Sequence, residues 1–398
     1  MKSAHAQPHP SPPPPAVSDG TIPFNRPTLA GRELEHMRAA VERGHTSADG
    51  PFSRAVAELL EAETGAAEVL LTTSCTAALE MTAMLLDVGP GDSVVVPSFG
   101  FVTTALAYAR QGARVLFCDI EAATLGLDPT HLATLMDETV RAVVPIHYGG
   151  IACDLDAIRE VVAAWPRAEL VEDNAHGLFA AYRDRPLGSF GRFATLSFHE
   201  TKNFICGEGG AILVNDEADV DRARVVFHKG TNRSAFLLGQ VDKYTWQDTG
   251  SSFGLSDVLA AYLYGQLDER ESILGRRRAA FDRYLDALAP LADRHGLRLP
   301  IVTPDRRQGY HLFYVLLPDQ RTRDHVLDEM RASGVHATFH YVPLHSSPHG
   351  RRVSARPVDC PTTDDVSGRL LRLPFFTSLD PATTDRVVEA FGAALASA

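Results

Sequence analysis

An α/β fold is what this chain of 398 residues predicts, with a mostly parallel seven-stranded sheet in a large domain and a smaller α/β domain at the C-terminal end. Three observations carry that prediction. From about Ile22 to Asp268, short apolar runs alternate with amphipathic stretches, as parallel strands covered by helices do. After Gly254 a long helical pattern through Asp257, Tyr262, Leu267, Ile273 and Phe281 leads the chain out of that region. A shorter set of apolar runs then follows, and 45% hydrophobic against 22% charged residues is enough for two buried cores. The divisions are expected at 1–20 for a tail, 21–265 for the large domain and 266–398 for the small one.

Taken in order, residues 1–20 are polar and proline-rich. Pro12-Pro13-Pro14-Pro15 favours polyproline II, which buries little, so disorder is expected there. Strands are then expected at Val69–Thr72, Ser93–Pro97, Arg114–Asp119, Ala142–Ile146, Leu170–Glu172, Ala194–Phe198 and Ala211–Val214, all short apolar runs. Between them Thr76–Leu86 and Asp154–Ala164 read as helices, the second with Asp154 placed to accept from its first free N–H groups. The small domain is expected to hold strands near His311–Leu317 and Val335–Tyr341 and a closing helix near Thr384–Leu395. No internal repeat is visible.

The charge balance narrows the function classes. Against 38 basic residues stand 50 acidic ones, and a net charge of -12 disfavours nucleic acid and anionic membrane surfaces as partners. Cys75, Cys118, Cys153, Cys206 and Cys360 are scattered, with no CxxC pair, so neither a disulfide framework nor a zinc site is expected. No apolar run approaches the roughly 20 residues that span a bilayer, and the first residues lack the apolar core of a secretory signal. A cytoplasmic protein with no metal site is the expectation.

Chemistry concentrates where strands end, the place at which an open α/β sheet collects ligands. Ser197-Phe198-His199-Glu200-Thr201-Lys202-Asn203-Phe204-Ile205-Cys206, running into Gly207-Glu208-Gly209-Gly210, places Lys202 in an apolar, glycine-flanked turn. A lysine is seldom buried unless paired or modified, and desolvation frees a nucleophilic amine able to form a Schiff base with an aldehyde. Ser74-Cys75-Thr76-Ala77 follows a strand and opens a helix, so the first N–H groups would face an anion such as a phosphate, although Ser74 or Thr76 capping the helix explains the same pattern. Asp173, at the end of Val171-Glu172-Asp173, is a strand-end carboxylate that wants a cation. A protonated pyridine nitrogen or a nearby Arg would serve. Phe101 offers a ring for stacking on a flat cofactor, Ser197 a hydroxyl for a phosphate, and His199 a further group for proton transfer.

These segments together resemble a known family. The order, the spacing and the stretches SCTA, SFHETKN, EGGA, KGTNRS, GQVDKYTW and GSS are similar to those of fold type I, pyridoxal-phosphate-dependent aminotransferases acting on nucleotide-linked ketosugars, the DegT/DnrJ/EryC1/StrS family. The resemblance runs from about Ile22 to the last helix. It is greatest to the branch making dTDP-4-amino-4,6-dideoxyhexoses, represented by the transaminase of enterobacterial common antigen synthesis. Two departures stand out: most relatives carry Gly where Cys75 stands, and the loop from Asn203 to Gly207 is one residue shorter than in the enterobacterial relative.

The resemblance implies a role for each matched residue. Lys202 would hold pyridoxal 5'-phosphate covalently and then shuttle the proton, with pyridoxamine phosphate as the intermediate form. Asp173 would pair with the pyridine nitrogen, Phe101 would stack on the ring, and His176 would sit beside the ring oxygen. Cys75, Thr76 and Ser197 would hold the phosphate, with Asn232 reaching in from a second subunit of a homodimer whose active sites lie at the interface. The substrate implied is a dTDP-4-keto-6-deoxyhexose with L-glutamate as amino donor, Lys229, Arg233, Lys243 and His345 lying near the nucleotide sugar. A ketopentose or a 3-keto sugar is the alternative substrate. A dehydrating relative is a further alternative, which Lys202 opposes because such proteins replace the lysine with histidine.

Overall fold

The computed structural model describes residues 20–237, 239–301 and 303–398. All of the proline-rich tail except Gly20 lies outside the described residues. The central sheet is built from β1 (Glu68–Thr72), β2 (Ser93–Pro97), β3 (Arg114–Cys118), β4 (Val140–Val143), β5 (Glu169–Asp173), β6 (Phe193–Ser197) and β7 (Gly210–Val214). Its spatial order is β1-β7-β6-β5-β4-β2-β3. The pairings β2–β3, β2–β4, β4–β5 and β5–β6 are parallel, whereas β7 runs antiparallel between β1 and β6. The reversal follows from the connection: a parallel return from β6 would need a crossover helix, and residues 198–209 fold instead into a tight loop.

Burial on both faces explains the near-continuous apolar strands, since every residue of β2 and β7 is buried. One face is covered by α1 (Cys75–Leu85) and α2 (Val102–Ala109), whose Ala78, Met81, Leu85 and Tyr108 pack on Val96 and Phe117. The other is covered in part by α3 (Leu155–Ala163), with Ile158 against Val95 and Leu116. As expected from the sequence, Asp154 caps α3 by accepting from Ala157 N at 3.2 Å. Helix α4 (Val220–Phe227) follows β7 and returns to the α1 face through Ala223 and Val226.

Two consecutive helices carry the chain onward. On α5 (Asp257–Asp268), Ala260, Leu263 and Leu267 pack with Leu71 and Leu213 of the central sheet and with Phe198 just past β6. On α6 (Arg270–His295), Phe281, Tyr284 and Leu288 belong to a separate core, shared with α7 (Gln320–Ala332) and α8 (Pro381–Ala396) through Val326, Met330, Val387 and Phe391.

The strand expected near Val335–Tyr341 does not form. Val335 makes one parallel bridge to Ile22 and Thr338 one antiparallel bridge to Arg372, while Phe339 and Val342 point outward, 49% and 61% exposed. Instead β8 (Tyr314–Leu316) pairs antiparallel with β9 (Leu370–Arg372). Three residues are too short a run to show a period of two, so β9 left no pattern to read.

Candidate active site

The carboxyl ends of β1, β2, β5 and β6 open on one cavity of about 510 Å³. Ser74 at the end of β1 caps α1, its hydroxyl accepting from Ala77 N at 3.1 Å. That leaves the N–H groups of Cys75 and Thr76 without an intrahelical partner at the positive end of the helix. Close approach is secured by Gly210, the first residue of β7: a Cβ there would lie 2.4 Å from Cys75 N. Cys75, Thr76 and Ser197 all line the cavity. The Cys75 thiol turns away toward Thr195 Oγ1 at 3.6 Å, and burial pushes it up to about 12, so it fills space rather than reacting.

Lys202 enters from the loop between β6 and β7. That loop is stitched across its base, Phe198 N donating to Gly209 O and Cys206 N to Phe198 O, with Phe204, Ile205 and Cys206 buried beneath it. Lys202 N donates to His199 O, which closes the turn. Burial draws the Lys202 amine down to about 8, against the opposing pull of Cys75 and Asp173. His199, also on the lining, is held by Thr201 Oγ1 at 2.9 Å.

Asp173 faces the same cavity from the end of β5. It accepts from Thr104 Oγ1 at 2.6 Å and from Ala175 N at 3.2 Å, and among the described residues it has no ion-pair partner. Burial pushes its carboxyl up, opposed first by the Thr104 hydroxyl. A buried carboxylate short of a cation is the arrangement that a protonated ring nitrogen would complete.

His176 accepts from Gly149 N at its Nδ1, so its proton sits on Nε2, and burial keeps the ring neutral. It stacks on His311 with centroids 4.1 Å apart. His311 Nδ1 in turn meets Asn203 Oδ1 at 3.0 Å, and Asn203 Nδ2 donates to Gly309 O at 2.5 Å. The residue beside Lys202 is therefore tied to the segment that enters the C-terminal core. Phe101, half exposed at 56%, stands at the mouth with its centroid 6.4 Å from Tyr341.

The structure thus gathers Lys202, Asp173, His176, Cys75, Thr76, Ser197 and Phe101 around one space. It does not bring Lys229, Asn232, Arg233, Lys243 or His345 to that lining. Lys229, Arg233 and Lys243 are exposed, and Asn232 Oδ1 accepts from Thr245 N at 2.6 Å on the same outer segment. His345 is taken by Ser98 Oγ at 2.7 Å, with Asp364 at 3.7 Å. His340 and Tyr341 also line the cavity, and sequence reasoning missed Thr104, His311 and Arg372. Thr104 lay three residues past Phe101 and could have been found as a hydroxyl in the first turn after a strand end. The others come from distant segments and carried no local signal.

The residues present fit a flat, anionic, aldehyde-bearing pyridine: two free helix N–H groups and a serine for the anion, an uncompensated carboxylate for the ring nitrogen, and an amine drawn down to about 8 by burial for the aldehyde.

The chain is similar to known proteins over nearly its whole length. The sequence profile of the DegT/DnrJ/EryC1/StrS aminotransferase family matches residues 27–392. The spore coat polysaccharide biosynthesis protein SpsC of Bacillus subtilis is 30% identical over 378 residues, 93% of this chain and 96% of that one. Among solved structures, the aminotransferase TlmJ of Streptoalloteichus hindustanus superposes with a TM-score of 0.87 at 29% identity, covering 95% of this chain and all of that one. DesV of S. venezuelae gives 0.84 at 29% identity, over 94% and 98% of the two chains. The PMP-form of Spr1654 from Streptococcus pneumoniae gives 0.87 at 25%, over 94% and 99%.

Proposed function

Because the chain belongs to the DegT/DnrJ/EryC1/StrS aminotransferase family and is a pyridoxal-phosphate-dependent sugar aminotransferase of fold type I, we propose that it moves an amino group from L-glutamate to the 4-keto carbon of a dTDP-4-keto-6-deoxyhexose. The observation that carries the catalytic part is the pairing of a lysine amine lowered to about 8 with an uncompensated Asp173 in one cavity. The nucleotide part is supported by the resemblance of SFHETKN, KGTNRS and GQVDKYTW to the dTDP-4-amino-4,6-dideoxyhexose branch.

Pyridoxal phosphate, when bound, supplies an aldehyde that exchanges for an amine and a ring that stabilises negative charge on the neighbouring carbon. The Cys75 and Thr76 N–H groups and the Ser197 hydroxyl would hold its phosphate, Asp173 its ring nitrogen and Phe101 one ring face. His176, protonated on Nε2, would donate to the ring oxygen. Lys202 Nζ, mostly unprotonated above about pH 8, would take the proton from the amino-bearing carbon of the donor and deliver a proton to the sugar carbon in the second half of the exchange.

The same reading takes residues 21–265 as the cofactor domain and 266–398 as the small domain of a cytoplasmic homodimer in which Asn232 reaches the partner's cavity. Support comes from the outer segment that carries Asn232, where Trp246 is 84% exposed beside the exposed Tyr244 and Phe236, an apolar surface that a second subunit would cover. Lys229, Arg233 and Lys243 would then meet the diphosphate at the shared mouth.

The test is an absorbance spectrum of the purified protein before and after L-glutamate, and again after dTDP-4-keto-6-deoxyglucose, with the nucleotide product weighed by mass spectrometry. A visible cofactor band lost with glutamate and restored by the ketosugar, with an aminated product, is expected. A band that the sugar cannot restore overturns the substrate assignment.

A further inference from the structure

Segments far apart in the chain meet beside Lys202, and two histidines close them into a ring. His311, in the stretch that leads into β8, lies on His176 with ring centroids 4.1 Å apart and planes 25° apart. Both are tied to one residue of the loop after β4: Gly149 N donates to His176 Nδ1 at 3.3 Å, and Gly149 O accepts from His311 N at 3.2 Å. The next residue leaves no slack. Gly150, at φ 83°, accepts at its carbonyl from Gly309 N at 2.9 Å, and a Cβ there would lie 2.8 Å from His176 O. From the C-terminal core Arg277 on α6 holds the same backbone, donating through Nε to Tyr310 O at 2.8 Å and through Nη2 to His311 O at 2.6 Å.

The turn that carries Lys202 is joined to this ring by its neighbour. The Lys202 amine makes no hydrogen bond among the described residues, so the backbone beneath it sets where it can reach. Asn203 is buried, with Nδ2 donating to Gly309 O at 2.5 Å and Oδ1 lying 3.0 Å from His311 Nδ1. A carbonyl only accepts, so the amide can face one way, and His311 must carry its proton on Nδ1 to meet Oδ1. Gly149 N makes the opposite choice for His176, which carries its proton on Nε2. Burial holds both stacked rings below the ordinary histidine value and so keeps them neutral. A space of about 10 Å³, the size of one water, is bounded by Lys202, Asn203, His176 and His311 together, so the latch adjoins the reacting side chain itself.

We propose that Asn203 and His311 are positioning residues for the amino transfer. Through the Asn203–His311 bond the C-terminal core holds the turn that presents Lys202, and through its ring face His311 holds His176 in the orientation that offers Nε2–H to the cofactor's ring oxygen. Proton transfer falls steeply when the reacting groups are misplaced by even an ångström, so the latch acts on rate more than on donor binding. This rests on the aminotransferase reading of the cavity.

The test combines NMR of nitrogen-labelled histidine in the full chain, without and with pyridoxal phosphate, with the visible band of bound cofactor and the rate of the L-glutamate half-reaction. Wild-type protein should show His311 protonated on Nδ1 and His176 on Nε2, and a His311 proton found on Nε2 overturns the proposal. Three variants separate the two arms. His311→Phe keeps a flat ring to stack and loses the N–H, whereas His311→Asn keeps an N–H near the Nδ1 position and loses the ring. Asn203→Ala and His311→Phe are each expected to lower the maximal rate by about tenfold or more with KM for L-glutamate within about threefold, and the double variant should be no slower than the slower single one. His311→Asn should recover part of that rate and shift the visible band, which follows the charge on the ring oxygen; His311→Phe should leave the band in place. Additive losses in the double variant, or a lowered Tm with wild-type rate per folded molecule and an unmoved band, would make both residues ordinary packing and sink the proposal. Wild-type protein with the expected tautomers but no response to L-glutamate would count against the aminotransferase reading and leave the latch standing.

Discussion

Glu172 and Asp173 are neighbours on β5, and the alternation of a strand sends them to opposite sides of the sheet. On the closed side Glu172 accepts from Gly188 N, Phe190 N and Gly191 N, and His147 Nε2 lies 3.0 Å away. A carboxylate has about four lone-pair sites, and here all are used. Burial alone would raise Glu172, but His147 and these donors hold it below the ordinary value. On the cavity side Asp173 has one hydroxyl and one N–H, and burial pushes it up. The same chemical group is a structural clamp where the protein supplies every partner, and where the protein stops short it keeps the capacity to take one more.

The contrast is broken most severely at Lys202, the amine that shares the cavity with Asp173. Lys202→Ala should cut activity by at least about a thousandfold and abolish the visible band of bound cofactor. A calorimetric Tm should not fall, because a poorly compensated buried amine is removed. Asp173→Asn should follow, lowering kcat by about 10²–10³-fold with no loss of Tm in the cofactor-free protein. Glu172→Gln is the mirror experiment: an amide N–H set against backbone donors should cost about 3–5 kcal/mol in denaturant unfolding while activity per folded molecule stays near that of wild type. If Glu172→Gln instead lost activity at unchanged stability, the two sides of β5 would not differ in the way described.

Two smaller effects sharpen the comparison. Thr104→Val should reduce kcat by about tenfold and move the acid limb of the pH–rate profile upward, since the hydroxyl is the strongest of the groups holding Asp173 down. The pH dependence of cofactor uptake by the cofactor-free protein reads Lys202. A lysine lowered from 10.5 to about 8 is mostly unprotonated above about 8, so the rate should climb toward that pH and level off. A rate still rising beyond pH 10 would place the amine in water rather than in the wall of the cavity.

Much of this was legible along the chain because its signals are local. Val94, Val95 and Val96 between Gly91 and Pro97 announce a buried strand, and β2 was read to the residue. Lys202 stood out through the apolar turn around it, Asp173 and Ser197 through their places at strand ends, and Ser74-Cys75-Thr76 as a helix start. Val335–Tyr341 was misread for the opposite reason. Its alternation is real, but the neighbour that β8 pairs with lies at Leu370–Arg372, too short to show and far off in sequence.

By itself, then, the sequence determined the α/β architecture, the strand ends and the lysine in an apolar turn beside one of them, since hydrophobic period and turn chemistry act over a few residues. Only the tertiary structure decided what those groups do to one another. That Thr104 restrains Asp173, that Asn203 is latched through His311 to the C-terminal part, and that Arg277 holds the backbone of that histidine are facts of burial and of hydrogen bonds between segments far apart. Electrostatic energy depends on distance through space and on access to water, and neither is written in the order of residues.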